Sequence, residues 1–159
     1  MSWFFHRRCP RLYGIPGLRM VCTLFSSFLA IESKIFDSII CATDSIKYAE
    51  IAKYYGAEVP FLRDTKISDD KLIYILRKNQ IDMICLAGFM KILSKYFIKK
   101  FNGKIINIHP SLLPKYKGLN THKRALKNKE KYSGCTVHFV NSKLDSGKII
   151  LQKRVKISQ

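Results

Sequence analysis

The chain has 159 residues, of which 47% are hydrophobic, and a formal net charge of +18 at pH 7. A chain of this length is expected to form one domain with a substantial core, and its hydrophobic content excludes wholesale disorder. The lysines and arginines are spread along the whole sequence rather than gathered in one cationic tract, so we expect no specific nucleic-acid binding. A basic surface of this kind can still steer an anionic substrate.

The cysteines favour a reducing compartment. Their number is odd, no two lie at the spacing of metal ligands, and three occur in apolar, strand-like runs where cysteine is usually a small core residue. They are Cys9, Cys22, Cys41, Cys85 and Cys135. No run of about 18 apolar residues is present, so we expect a cytoplasmic protein without a transmembrane helix.

The start of the chain differs from the rest. Residues 1–31 contain no acidic residue and combine several arginines with a mostly apolar run over residues 20–31. Two interpretations follow: an altered N-terminus with no function of its own, which we favour, or a secretory or organellar targeting peptide. We therefore divide the chain into an N-terminal segment, 1–35, and a single α/β domain, 36–159.

The next stretch has the pattern strand, helix, strand. Residues 37–43 form a short apolar run that predicts a strand, and the pair Asp44-Ser45 offers an N-cap for a helix over residues 46–55. Gly56 stands at the position where helices often end. Residues 59–62 then predict a second short strand.

Residues 36–64 resemble the acylneuraminate (sialic acid) cytidylyltransferases. The resemblance is carried by the strand, a Thr-Asp pair, the helix and the run Tyr55-Gly-Ala-Glu-Val-Pro-Phe-Leu-Arg63. Gly14-Ile-Pro-Gly17 is a weaker match to the nucleotide loop of that family. The catalytic and metal-binding parts of that family lie largely outside the matched stretch, so we do not favour a cytidylyltransferase activity.

Residues 69–78 predict an amphipathic helix. Asp69 and Asp70 place negative charge at its positive end, apolar residues recur on one face, and basic residues close it. Residues 82–87 follow as a buried strand. The alternation of strands and helices of these lengths predicts a parallel α/β sheet.

The most informative stretch is Ile105-Ile-Asn-Ile-His-Pro-Ser-Leu-Leu-Pro-Lys-Tyr-Lys-Gly118. Asn107 and His109 stand two apart at the end of an apolar run, so in a strand their side chains point to the same face. Pro110 cannot donate to a sheet ladder and should end the strand. A polar pair at the carboxyl end of a strand is where α/β folds bind ligands. Asp145, in a Leu-Asp-Ser-Gly turn, could return a carboxylate to His109.

Four ordered blocks resemble the folate-dependent formyltransferases, and in finer detail the phosphoribosylglycinamide formyltransferases of the purine pathway. The resemblance runs from about residue 71 to residue 157, and it implies a Rossmann-like, doubly wound, mostly parallel sheet of the formyltransferase type, incomplete at both ends. The blocks are Leu86-Ala-Gly-Phe-Met-Lys-Ile-Leu-Ser94, the stretch around Asn107 and His109, Cys135-Thr-Val-His-Phe-Val140, and Leu144-Asp-Ser-Gly147 with Ile149-Ile-Leu-Gln152.

The resemblance implies transfer of a formyl group from 10-formyltetrahydrofolate to the amine of glycinamide ribonucleotide in de novo purine biosynthesis. When the amine attacks, a negative oxygen forms, and Asn107 would meet it with an amide N–H. His109 would donate to the same oxygen or relay a proton, and Asp145 would hold the imidazole. Each residue alone has an ordinary structural explanation, and the family pattern makes them catalytic candidates.

The same resemblance implies folate contacts for Met90, Lys91, Ile92 and Leu93, together with Asn107. Lys91 replaces an arginine common in the family, which keeps the charge and loses the planar fork.

Other polar residues are weaker candidates. Pro110 and His122 are possible substrate contacts, and His138 is interpreted as structural because it lies in an alternating strand. The sequence contains no cluster of metal ligands, and the reaction needs no metal.

Two departures from the family keep alternatives open. The family holds the ribotide phosphate on a Gly-rich loop at a helix start, whereas here Pro16, between two early glycines, has no N–H to offer. The family also continues past the position of Gln159 with a helix that helps to enclose the substrate, so we expect activity to be impaired if the chain is truncated. The alternatives are a formyltransferase for an amino sugar nucleotide and a non-catalytic remnant or fusion with a basic surface that binds polyanions.

Overall fold

The computed structural model describes residues 19–22, 24–63, 66–89 and 92–158. Within these ranges the chain forms strands and helices that alternate along most of the sequence. The strands are β1 (Arg19–Cys22), β2 (Ser38–Cys41), β3 (Met83–Ala87), β4 (Lys104–His109), β5 (Tyr132–Phe139) and β6 (Ile149–Lys156). The helices are α1 (Leu24–Ser33), α2 (Ile46–Tyr54), α3 (Asp69–Lys78), α4 (Lys95–Lys100) and α5 (Thr121–Lys127).

These strands form one sheet with the order β2-β1-β3-β4-β5-β6. The first four are parallel to one another, whereas β5 is antiparallel to β4 and β6 is antiparallel to β5. The carboxyl ends of the parallel strands therefore meet at one edge, where His109 ends β4. The predicted α/β fold with a mostly parallel sheet is confirmed.

The sheet includes part of the segment 1–35. β1 pairs with β2 on one side and β3 on the other, and α1 packs against both of those strands. Neither element is predicted from the sequence; for β1 the reason is that a strand of four residues is too short to show a clear period. The interpretations of Gly14, Pro16 and the rest of residues 1–18 lie outside the described residues.

Residues 59–62 do not form the expected strand, so that prediction is wrong. One isolated parallel bridge is formed at Glu58, whose N–H donates to Ile39 O (2.8 Å) and whose carbonyl accepts from Cys41 N (2.9 Å). Pro60 follows two residues later and has no N–H to extend a ladder.

Three helices begin at serine N-caps. The Oγ atoms of Ser45, Ser68 and Ser94 each accept a hydrogen bond from the backbone N–H three residues later, at the starts of α2, α3 and α4. α3 has the bounds that the sequence predicts, and α2 ends one residue earlier than predicted.

Helices cover both faces of the parallel part of the sheet, and each face has its own core. In β2, the side chain of Ile40 points to one face of the sheet and that of Ile39 to the other. Both are buried, as expected for a strand that is covered on both faces. Under α3 and α4, the buried cluster comprises Ile40, Ile73, Leu76, Ile81, Ile84, Phe97, Phe101 and Ile105. Under α1 and α2, it comprises Ala30, Ile39, Cys41, Ala52 and Ala57. Burial raises the pKa of the Cys41 thiol, which fits a core residue rather than a reactive one.

Phe97 gives a direct test of the first core. Its side chain is 1% exposed, so Phe97→Ala is expected to lower the free energy of unfolding by about 3–5 kcal/mol through lost burial and a residual cavity. Tyr74→Ala, which removes an aromatic ring that is 65% exposed on α3, should change it by no more than about 0.5 kcal/mol. Urea unfolding measures both, and equal losses would contradict the assignment of this core.

β6 is one of the two edge strands of the sheet and is exposed along its whole length. Leu151 and Val155 on this strand are 64% and 53% exposed. Arg154 lies 4.4 Å from the centre of the Tyr132 ring on the neighbouring strand. The strand therefore combines apolar and cationic side chains at the open side of the sheet.

Candidate active site

β4 carries two polar side chains toward the carboxyl edge of the sheet. Asn107 lies opposite Leu86 of β3 and opposite His138 of β5, and His109 ends the strand with only 5% of its surface exposed. Pro110 follows, and β4 ends where the sequence predicts. The strand thus brings an amide and an imidazole to one edge.

Both ring nitrogens of His109 have partners. Nε2 lies 2.9 Å from the carbonyl oxygen of Tyr116, and Nδ1 lies 3.3 Å from Oδ2 of Asp145. A carbonyl oxygen only accepts hydrogen bonds, so Nε2 carries a proton. A proton on Nδ1 can be donated in a hydrogen bond to the Asp145 carboxylate, so each ring nitrogen of His109 faces a hydrogen-bond acceptor.

Asp145 reaches His109 from the loop between β5 and β6. Its backbone has a φ of 43°, a left-handed conformation that is uncommon for residues other than glycine. The backbone N–H of Gly118 donates to Oδ2 at 2.8 Å, and Oδ1 lies 3.7 Å from Nε2 of His138. With its side chain 9% exposed, the carboxylate is held between two imidazoles and a backbone donor.

His138 belongs to this cluster, whereas the sequence analysis interprets it as structural only. Its Nδ1 lies 2.9 Å from the carbonyl oxygen of Phe139, and its Nε2 lies 3.4 Å from the Asn107 amide nitrogen and 3.7 Å from Oδ1 of Asp145. The alternation in β5 places Thr136 and His138 on one face of the strand. That this face also carries Asn107 follows only from the register between β4 and β5, which the sequence does not give. The structure thus joins Asn107, His138, Asp145 and His109 in one cluster.

The loop after β4 is anchored through Tyr116. Its hydroxyl donates to Oε1 of Glu130 (2.8 Å) and accepts from the Asn128 amide (2.9 Å), and Arg124 lies 5.3 Å from the ring centre. Hydrogen bonds from Lys115 and from Tyr116 lower the pKa of the Glu130 carboxyl. These contacts fix the residue whose carbonyl faces His109.

An apolar pocket lies next to the cluster, beside the carboxyl ends of β2 and β3. The pocket is wide open to solvent, and Leu86, the strand neighbour of Asn107, is part of its wall. Arg63 contributes a guanidinium 5.7 Å from the centre of the Phe89 ring. The lining residues are Ala42, Phe61, Arg63, Leu72, Leu76, Ile84, Cys85, Leu86, Phe89, Leu93 and Phe97.

The predicted folate-contacting segment is placed only in part. Leu93 lines the pocket, whereas Ile92 is 75% exposed and is not among the lining residues. Met90 and Lys91 lie outside the described residues. Phe61 and Arg63 line the pocket although the sequence analysis does not single them out, because their position depends on how residues 58–63 return along the sheet.

The weaker substrate candidates are both at the surface. Pro110 is exposed directly after β4, and His122 is exposed as the second residue of α5. In the described part of the chain, no group of three or more His, Cys, Asp or Glu side chains is arranged to hold a metal ion. None of the helices in the described ranges has the length and apolar character needed to span a membrane.

The fold and the cluster agree with a known family. Residues 38–159 match the family model described as formyl transferase, which covers most of this chain. The chain therefore belongs to the formyl transferase family. The match includes residues 38–64, the stretch for which the sequence suggests a resemblance to cytidylyltransferases.

Within that family, the chain is similar to phosphoribosylglycinamide formyltransferases, as the sequence blocks predict. It is 53% identical over 89 residues to the Haemophilus influenzae enzyme of that name, covering 56% of this chain and 42% of the relative. It is 50% identical over 91 residues to the human trifunctional purine biosynthetic protein adenosine-3, covering 57% of this chain and 9% of the human protein. The chain thus spans less than half the length of these curated relatives.

Solved structures give the same result. The phosphoribosylglycinamide formyltransferase of Anaplasma phagocytophilum superposes with a TM-score of 0.75 at 34% identity, over 89% of this chain and 74% of that one. The Streptococcus pneumoniae enzyme gives 0.74 at 29% identity, over 89% of this chain and 83% of that one. None of these relatives favours the alternative with an amino sugar nucleotide.

Proposed function

We propose that the chain transfers a formyl group from 10-formyltetrahydrofolate to the amine of glycinamide ribonucleotide, a step of de novo purine biosynthesis. The observation that carries the proposal is the cluster of Asn107, His109, His138 and Asp145 beside an apolar pocket. The relatives support it, because several of them bear the name phosphoribosylglycinamide formyltransferase. The odd cysteine count and the reaction itself favour a cytoplasmic location.

Asn107 and His109 are the catalytic residues in this proposal. Attack of the amine on the formyl carbon puts negative charge on the formyl oxygen, which the amide N–H of Asn107 would stabilise. Removing one such donor typically costs about 2.7–4 kcal/mol of transition-state stabilisation. The His109 ring would donate to the same oxygen or pass a proton to the departing folate nitrogen. The Tyr116 carbonyl, which Nε2 contacts in this structure, would hold the ring in place until the substrates replace that contact.

Asp145 is the third catalytic residue in this proposal. One of its oxygens faces His109 and the other faces His138, so a single carboxylate sits opposite both rings. It would compensate the positive charge that His109 carries when both nitrogens are protonated, and it would order a water molecule between the reacting groups. His138 would help to orient the Asn107 amide, since its Nε2 lies 3.4 Å from the amide nitrogen.

The apolar pocket has the properties that a folate needs. A flat pterin is bound best by an apolar slot with a few polar groups along its edge. Leu86 and Leu93 line such a slot, and Arg63 adds a buried Nε that has no hydrogen-bond partner within the described residues. That N–H is available to a ligand acceptor such as a folate carboxylate. We also propose contacts from Ile92, Met90 and Lys91, as the family resemblance implies.

The proposed contacts to the formyl acceptor, glycinamide ribonucleotide, involve surface residues. Pro110 and His122 are proposed to contact glycinamide ribonucleotide from exposed positions directly after β4 and in the first turn of α5. The ribonucleotide carries a phosphate, and the net charge of +18 would attract it over distances of about a Debye length.

The test follows the absorbance change as purified protein converts 10-formyltetrahydrofolate, with and without glycinamide ribonucleotide. Turnover that requires the ribonucleotide is the expected result. If 10-formyltetrahydrofolate lost its formyl group at the same rate without the ribonucleotide, the reaction would be hydrolysis and not formyl transfer, which would contradict the proposal. No reaction in either mixture would also overturn it. An amino sugar nucleotide in place of the ribonucleotide serves as the substrate control.

A further inference from the structure

Gln152 connects the outer strand of the sheet to the loop that follows His109. Its side-chain Nε2 donates to the carbonyl oxygen of Leu113 and to the hydroxyl of Thr136, each at 2.8 Å. Gln152 lies on the exposed strand β6 and is the register partner of the buried Thr136. Its side-chain amide therefore points to the face of the sheet that carries His109 and Asn107.

The Thr136 hydroxyl is the centre of this connection. It donates to the carbonyl oxygen of Ser111 (2.7 Å) and accepts from the Leu113 N–H (3.0 Å) and from Gln152. One donor and two acceptor positions are all that a hydroxyl has, so its hydrogen-bonding capacity is used fully. Thr136 is completely buried, and a buried group that loses a partner has no water to replace it.

A short series of hydrogen bonds connects the Thr136 hydroxyl to the His109 ring. The Ser111 N–H donates to the carbonyl oxygen of His109 at 2.9 Å, and the Ser111 hydroxyl donates to the carbonyl oxygen of Lys115 at 2.6 Å. The next carbonyl along the chain, that of Tyr116, is the one that faces Nε2 of His109. Residues 111–116 are thus held at Ser111 and Leu113 and meet the imidazole at Tyr116.

We propose that Gln152 is a positioning residue for the His109 imidazole, acting through Thr136, Leu113 and the Tyr116 carbonyl. Gln152 touches neither substrate nor His109; it sets where residues 111–116 lie. This proposal rests on the function proposed above, because its kinetic test measures formyl transfer. Misplacement of a reacting group by about 1 Å can cost up to about 10²-fold in rate, so a small shift of this loop has a measurable effect.

The test compares Gln152→Met with Lys153→Met. The first change removes both donated hydrogen bonds and keeps an unbranched chain of similar length, and the second places the same residue on the opposite face of the same strand. For Gln152→Met we expect kcat to fall about 10- to 100-fold, with the KM for 10-formyltetrahydrofolate within about twofold of the parent value. For Lys153→Met we expect both constants within about twofold of the parent values.

A second readout does not need turnover. In ¹H–¹⁵N spectra of the histidine rings, assigned with single-histidine variants, the Nε2 signals of His109 should move in Gln152→Met and stay in place in Lys153→Met. Unmoved His109 signals in Gln152→Met, or an equal change in both variants, would overturn the positioning role. If the parent chain shows no formyl transfer, the proposed function fails, and the spectra alone decide the role of Gln152.

Discussion

Asp145→Asn is expected to lower kcat for formyl transfer about 10³-fold while the protein stays folded. The side chain is 9% exposed, with one oxygen 3.3 Å from His109 and the other 3.7 Å from His138. Asparagine keeps the shape and removes the negative charge, so no counter-charge remains for a His109 ring protonated on both nitrogens. Positioned groups that act in proton transfer contribute about 10²–10⁴-fold, and the loss should fall in that range.

The measurement is the ribonucleotide-dependent absorbance change, with thermal unfolding followed in parallel. Ser146→Ala is the matched control, because Ser146 is the exposed next residue in the same turn and its hydroxyl contacts Lys117 and the Leu144 carbonyl. Its kcat should remain within a few-fold of the parent value. Unchanged turnover in Asp145→Asn would refute the catalytic role of the carboxylate.

Gly147→Ala should impair both activity and stability, because no space exists for a Cβ at this position. An added Cβ would overlap the carbonyl oxygen and carbon of Phe139, which are backbone atoms and cannot rotate away. The Phe139 N–H also donates to the Lys148 carbonyl at 2.9 Å, so the loop and the end of β5 must separate. We expect a loss of about 1–3 kcal/mol in the free energy of unfolding, as for other overpacked sites.

The activity of Gly147→Ala should fall as well, since Asp145 lies two residues away in the same turn. Urea unfolding and the formyl-transfer assay measure the two effects, with Lys148→Ala, an exposed neighbour, as the control. Parent-like values in both assays would show that this turn can shift without displacing Asp145.

Local chemistry made some elements predictable from the sequence. α3 has its predicted bounds because Ser68 caps it, two acidic residues follow the cap, and basic residues close its last turn. The end of β4 was predictable because Pro110 has no backbone N–H to donate to a neighbouring strand. In each case the signal lies within a few residues of the feature.

Features set by distant pairing were not predictable in the same way. β1 is recognisable as a strand only because β2 and β3 lie on either side of it. His138 joins the cluster through the antiparallel register that places it opposite Asn107, which no local pattern determines. The proximity of Asp145 and His109 was suggested by the Leu-Asp-Ser-Gly turn and by the family resemblance. The hydrogen bond from the Gly118 N–H to Asp145 shows how the two loops are held together.

The open edge of β6 has a consequence for handling the protein. Within the described part of the chain no strand lies beyond β6, so its outward N–H and C=O groups form a template on which another copy can add. Lys153, Arg154 and Lys156 oppose that addition, because two copies approaching edge to edge bring like charges together. Salt reduces the reach of this repulsion from about 10 Å at 0.1 M to about 3 Å at 1 M. Concentrated salt, often used to keep basic proteins free of nucleic acid, therefore weakens the barrier that keeps these edges from joining into aggregates.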